Sequence, residues 1–174
     1  MKIEAPTKII PAFNNLKTNA FDIVVMEGGR GGAKSEALAA LGILESFIDD
    51  GVILCCREIQ RSINDSLYAS LISAIYKYQY ESYFKILNNE ITNLLTGARF
   101  IFVGLKSNIT SIKSINKLRV VLVDEAENVT DNSWSYLRPT PRYGHVRFYV
   151  VFNPRFEQDA TWQQFIVNKD NRTL

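Results

Sequence analysis

The stretch VVMEGGRGGAKSEAL, Val24 to Leu38, decides how the rest of the chain is read. It passes from an apolar strand-like run through clustered glycines into a helical pattern, and it nearly spells the phosphate-binding loop G-x-x-x-x-G-K-[ST]. Gly28 opens that pattern and Lys34 and Ser35 close it, but Ala33 stands where the second glycine belongs. Such a loop works because consecutive backbone N–H groups, aimed by the helix that follows, surround an anion that the helix dipole favours. Gly28, Gly29, Gly31 and Gly32 supply the backbone freedom. Lys34 would reach the β and γ phosphates as a mobile point charge, and Ser35 would place its hydroxyl on Mg²⁺. Ala33 is expected at the helix start with φ below zero, so that its methyl group crowds the loop without forbidding the backbone.

Outward from this loop, strand and helix signals alternate as in an α/β fold with a mostly parallel central sheet flanked by helices. DIVVME (Asp22 to Glu27) reads as a buried strand before the loop. SEALAALGILESFIDDG places Leu38, Leu41, Ile43, Leu44 and Phe47 on a helix that Gly51 is expected to close. VILCC (Val52 to Cys56) is the next buried strand, followed by a helix with Ile63, Leu67, Leu71 and Ile75 on its apolar face. Between Tyr83 and Phe102 the texture changes to short strands with turns at Asn88-Asn89 and Thr96-Gly97, an antiparallel insertion. LRVVLVDEAE (Leu118 to Glu127) and HVRFYVVFNP (His145 to Pro154) read as central strands, and a short helical pattern from Thr161 to Val167 precedes a polar tail.

Composition bounds the reading. The 174 residues fit one domain, with 47% hydrophobic and 22% charged residues, as in ordinary globular chains. No apolar run approaches the roughly 20 residues that span a bilayer. A formal charge of +2 supplies no strong global field, so contact with nucleic acid would need a local basic surface. Cys55 and Cys56 are adjacent, so in a strand they point to opposite faces and read as core thiols of a reducing compartment. His145, the only histidine, reads as a solvated turn residue.

The loop gains meaning from VVLVDE, a second motif far along the chain. Asp124 at a strand end can hold the water shell of Mg²⁺, and Glu125 beside it can polarise an attacking water. Together the motifs read as a P-loop ATPase of the additional-strand class (ASCE, RecA-like). The triplet NKD (Asn168 to Asp170) misses the guanine-specifying spacing by one residue and reads as coincidence.

These residues resemble a known family, the large subunit of the tailed-phage terminase, over about residues 20 to 165. GGRGGAKS (Gly28 to Ser35) looks like its variant Walker A loop, with an arginine four residues before the lysine. REIQRSINDSLYASL (Arg57 to Leu71) and FVGLKSNITSIKSI (Phe102 to Ile115) are similar to the segments after the second strand and before Walker B. VVLVDEAENVTDNSW (Val120 to Trp134) and VVFNP (Val150 to Pro154) resemble Walker B and the coupling motif.

The resemblance implies that Gly28 to Ser35 bind ATP, that Ser35 and Asp124 hold Mg²⁺, and that Glu125, Arg30 and Lys34 form the catalytic set, Arg30 near the γ-phosphate. Asn153 would couple the nucleotide state to movement. It also implies a ring that moves double-stranded DNA into a procapsid in the host-cell cytoplasm, with portal protein and the small terminase subunit as partners and no membrane. Lys106, Lys113 and Lys117, in a loop before Walker B, are candidate DNA contacts. Arg119, Arg138 and Arg142 are candidate donors to a neighbour's site. A helicase-like nucleic-acid ATPase and a non-hydrolysing nucleotide switch stand as alternatives. The family carries a glutamine-containing adenine motif upstream, whereas the segment to Phe21 has no glutamine; Pro11 to Asn14 are the candidates for that pocket. The expected organisation is a single ATPase domain over 1–174. It comprises an N-terminal segment 1–20, a core 21–167 and a tail 168–174 directed toward an absent nuclease domain, so nuclease activity is not expected.

Overall fold

The apolar runs become the middle of a seven-stranded sheet because strands buried on both faces read as nearly continuous hydrophobic segments. The structure, a computed structural model, describes residues 7–59, 64–139 and 145–174. Its strands are β1 (Ile23–Glu27), β2 (Val52–Arg57), β3 (Phe84–Leu87), β4 (Glu90–Asn93), β5 (Arg99–Gly104), β6 (Leu118–Val123) and β7 (Arg147–Phe152). They lie in the order β1-β7-β6-β2-β5-β4-β3. All neighbours through β5 are parallel, while β3 and β4 form the antiparallel insertion on the β5 edge. Every residue of β2 and of β7 is buried.

Helices α1 (Ile10–Thr18), α2 (Lys34–Ser46) and α3 (Ala69–Lys77) accompany one face of the sheet. Helices α4 (Leu105–Ile112), α5 (Asp131–Leu137) and α6 (Ala160–Trp162, continued as a wider turn over Gln163–Val167) cover the other. Side chains alternate accordingly: Cys55 joins the first core and Cys56 the second, both as free buried thiols. Burial pushes both thiols well above their ordinary pKa. Leu67, Leu71 and Ile75 are fully buried as their spacing predicts, while Ile63 lies outside the described residues.

The helix α2 stops at Ser46, earlier than Gly51, which instead takes φ +119 in the turn before β2. A Cβ there would meet the Lys117 carbonyl at 2.8 Å, so the turn needs glycine for space as well as for conformation. Glu45 on α2 is fully buried and binds three groups from two strands. Its Oε2 receives Arg147 at 2.7 Å and Arg119 at 3.0 Å, and its Oε1 accepts from the Tyr149 hydroxyl at 2.7 Å. Burial, then the facing Glu45 carboxylate, raises the Tyr149 pKa well beyond the ordinary range. A buried carboxylate is tolerable only with such pairing, and the cluster ties the loop helix to β6 and β7.

The tail is polar but ordered against the sheet. The Asp22 and Ile23 N–H groups donate to the Arg172 carbonyl, Val25 N–H donates to Leu174, and Leu174 N–H returns to Ile23. The outer edge of β1 is thus covered. His145 is solvent-exposed as expected, but its Nε2 lies 2.9 Å from Asp22, which also pairs with Arg172. Among the described residues no helix is long and apolar enough to cross a membrane.

Candidate functional site

The glycine-rich loop lies between the end of β1 and the start of α2, at the carboxyl ends of the parallel strands, where loops of open α/β sheets bind ligands. Gly28 and Gly31 have φ of +151 and +76, the left-handed region that glycine enters freely. Ala33 is there too, with φ +54 and ψ +18, which corrects the expectation of a negative angle. The tight reversal into α2 falls on this residue, and alanine adopts it at a cost of about 1 kcal/mol. No side chain caps α2, so its first N–H groups remain directed at the loop.

Lys34 Nζ donates to the carbonyls of Gly28 at 2.8 Å and Gly29 at 2.7 Å. Ser35 Oγ donates to Asp124 Oδ1 at 3.0 Å, which brings the two motifs into contact across 89 residues of chain. Asp124 is 1% exposed at the end of β6. Glu125 follows in a left-handed turn, φ +49, with its side chain 46% exposed. A cleft of about 450 Å³ collects Arg30, Gly31, Gly32, Ala33, Lys34, Ser35, Asp124, Glu125 and Asn153 along its walls. Arg30 sits on its exposed rim.

A second cavity of about 780 Å³ lies on the other side of the loop, with Gly28 and Gly29 among its lining residues. Its far wall is Thr7, Lys8 and Ile9, not Pro11 to Asn14. The reason is that α1 turns Ala12 and Asn15 inward, and Asn15 exchanges hydrogen bonds of 2.8 and 2.9 Å with the Phe21 backbone. The turn before the helix is the part left beside β1.

Asn153 stands one residue past β7, facing an acid that no sequence motif singles out. Its backbone N–H donates to Glu127 Oε2 at 3.2 Å, and Nδ2 reaches Oε1 at 3.5 Å. Arg155 lies 3.6 Å from the same carboxylate. Arg57 opens the segment REIQRSINDSLYASL, quoted above for its resemblance to the family, but that resemblance assigns it no place in the site. It is 6% exposed and points at Asp124 and Glu125. Two sequence signals mark it: a charge closing an apolar central strand, and its place at the head of that segment.

Other candidates are placed elsewhere. Lys106 lies in the helix α4 rather than in a loop, and Lys113 follows it with Nζ over the Tyr136 ring. Lys117 pairs with Asp50 at 2.7 Å at the opposite ends of the strands. Arg119 pairs internally with Glu45 at 3.0 Å, its side chain largely buried. Arg138 stacks over Phe165 and lies 3.6 Å from Asp170, and Arg142 is outside the described residues.

As for a metal, the described residues hold no cluster of three or more acidic, histidine or cysteine side chains. Magnesium keeps several waters and takes phosphate oxygens, so one hydroxyl and one carboxylate already in contact, Ser35 and Asp124, fit its needs.

Because β7 intervenes between the loop strand β1 and the carboxylate strand β6, the fold is that of a P-loop NTPase of the additional-strand class. Residues 20–174 match the family described as phage terminase large subunit, and the chain belongs to that family. No curated protein matches the sequence. Among solved structures it is similar to the large terminase of a thermophilic bacteriophage, with a TM-score of 0.82 and 10% identity, covering 99% of this chain and 45% of that one. The same thermophilic phage protein in complex with ATP-gamma-S gives a TM-score of 0.74 at 8% identity, covering 98% and 44%. The N-terminal domain of the DNA packaging ATPase from bacteriophage phi29 gives 0.63 at 14% identity, covering 90% and 84%. At these identities the likeness speaks for the fold. The chain spans less than half the length of the thermophilic phage terminase.

Proposed function

We propose that this chain is the ATP-hydrolysing motor domain of a terminase large subunit that moves double-stranded DNA into a procapsid. The observation that carries the reading is the Ser35–Asp124 contact beneath an uncapped helix N-terminus, with Glu125 beside it. The thermophilic phage terminase bound to ATP-gamma-S supports a nucleotide as the ligand.

In this reading the loop N–H groups from Gly28 to Lys34 enclose the phosphates, and Lys34 exchanges its two backbone carbonyls for phosphate oxygens. Ser35 and Asp124 would hold Mg²⁺, which would supply charge neutralisation at the phosphates. Glu125 accepts the proton of a water whose oxygen bonds to the γ-phosphorus while the bond to the β–γ bridging oxygen breaks. Arg30, on the rim, reaches the transferring phosphoryl oxygens. The nucleoside lies in the cavity bounded by Thr7 to Ile9. Asn153 senses the γ-phosphate and passes its state to Glu127.

DNA contact falls to exposed cations outside this cleft, with Lys106 on α4 as a candidate. A ring on the portal, a small terminase subunit as partner and action in the host-cell cytoplasm complete the proposal, as does a single domain over 1–174.

The test is Mg²⁺-dependent ATP turnover of wild type and Glu125→Gln, each with direct nucleotide binding. Turnover should fall at least about 100-fold while nucleotide affinity stays within about threefold. Equal turnover in the two proteins would remove Glu125 from the chemistry and favour a nucleotide switch.

A further inference from the structure

The geometry points to Arg57 as the positioning residue for both carboxylates of the site, a role that rests on the hydrolytic reading above. Arg57 ends β2, the strand beside β6, and is nearly buried. Its Nε and Nη2 lie 3.1 and 2.6 Å from Asp124 Oδ2. Ser35 Oγ donates to the other oxygen, Oδ1, at 3.0 Å. The carboxylate is therefore gripped on opposite oxygens. The guanidinium fixes Oδ2 and leaves Oδ1 turned toward the serine hydroxyl, the side on which a cation shared by the two would be held.

The same Nη2 also reaches Glu125 Oε1 at 3.2 Å. The side chain of Glu125 is 46% exposed and springs from a left-handed turn, so burial alone does not fix its direction. Its ion pair with Arg57 supplies an anchor. Placed between two adjacent carboxylates, the cation also offsets their mutual repulsion. An ammonium cannot reproduce this: lysine is a point charge, whereas the planar fork addresses Asp124 through two nitrogens and Glu125 through one of them. A purely structural ion pair would be satisfied by Asp124 alone. The reach to Glu125 links Arg57 to the attack on phosphorus, although it touches no reacting atom.

Arg57→Lys separates these roles through three measurements: ADP binding in EDTA, the Mg²⁺ dependence of ADP binding, and ATP turnover. ADP affinity in EDTA should stay within about twofold, because the loop is untouched. The Mg²⁺ concentration for half-maximal effect should rise about tenfold, and turnover should fall by about 10- to 100-fold, as when a metal ligand loses its outer partner. In the Glu125→Gln background, at saturating Mg²⁺, the substitution should lower residual turnover much less than it does in the wild type, while still shifting the Mg²⁺ dependence. Arg57→Gln, neutral and still polar, makes the same comparison if lysine is not tolerated.

Unchanged Mg²⁺ dependence together with unchanged turnover overturns the proposal. So does a loss of ADP binding in EDTA that tracks a lower melting temperature, the mark of a structural role. A wild-type chain that binds nucleotide but turns over no ATP overturns the hydrolytic reading instead, and the Mg²⁺ titration of ADP binding then decides the hold on Asp124 by itself.

Discussion

Ala33 shows what a single letter can and cannot reveal. The sequence places it where a phosphate loop prefers glycine, and steric reasoning tolerates alanine at a helix start. The backbone instead passes through φ +54 at this residue. Nothing in the neighbouring letters encodes that angle, because it is set by the joint geometry of β1, the loop and α2. Ala33→Gly should therefore stabilise the chain by about 1 kcal/mol and raise its melting temperature by about 2–4 °C, read by thermal denaturation. An unchanged or lower midpoint would mean that the loop relaxes the strain elsewhere. The residues that the loop and strand-end motifs name, Lys34, Ser35, Asp124 and Glu125, do meet in one cleft. Arg57 and Glu127 lie within the quoted stretches without a role assigned to them there, and their meaning comes from neighbouring strands.

Secondary elements are legible where a strand or helix is buried on a regular period. β2, β6 and β7 follow their apolar runs, and the hairpin β3–β4 turns at Asn88-Asn89 as its letters predict. What escapes such a reading is the service that polar residues perform inside these elements. Glu45 sits in an otherwise apolar helix pattern, and its partners Arg119, Arg147 and Tyr149 lie far along the chain. Removing it strands two guanidinium groups against a dry interior. Glu45→Ala should cost about 3–5 kcal/mol in chemical denaturation, well above the loss expected from an exposed ion pair. A cost under 1 kcal/mol would show that water reaches the cluster. The stretch Phe102 to Ile115 is read by its resemblance as a turn and a lysine-bearing loop, yet Leu105–Ile112 is helical, with Leu105 and Ile112 buried against the sheet.

At the scale of the molecule, strand order cannot be read from the sequence directly; the spacing of two motifs only suggests an intervening strand. The fold resolves this by setting β7 between β1 and β6, so the residue after β7 faces the same cleft as the loop. The last residues read as a polar tail, yet backbone pairing with β1, the Arg172–Asp22 ion pair and the packing of Leu174 fix their place. Arg172 to Leu174 lie along β1, the strand that leads without interruption into Gly28. Amide hydrogens at Ile23 and Val25 point into this pairing and should exchange slowly with deuterium. In a chain ending at Asn171 their protection should drop while amides in β2 and β6 keep theirs. The consequence is mechanical: a pull on the chain at Leu174 is borne in shear by hydrogen bonds to β1, the strand that runs directly into the phosphate loop.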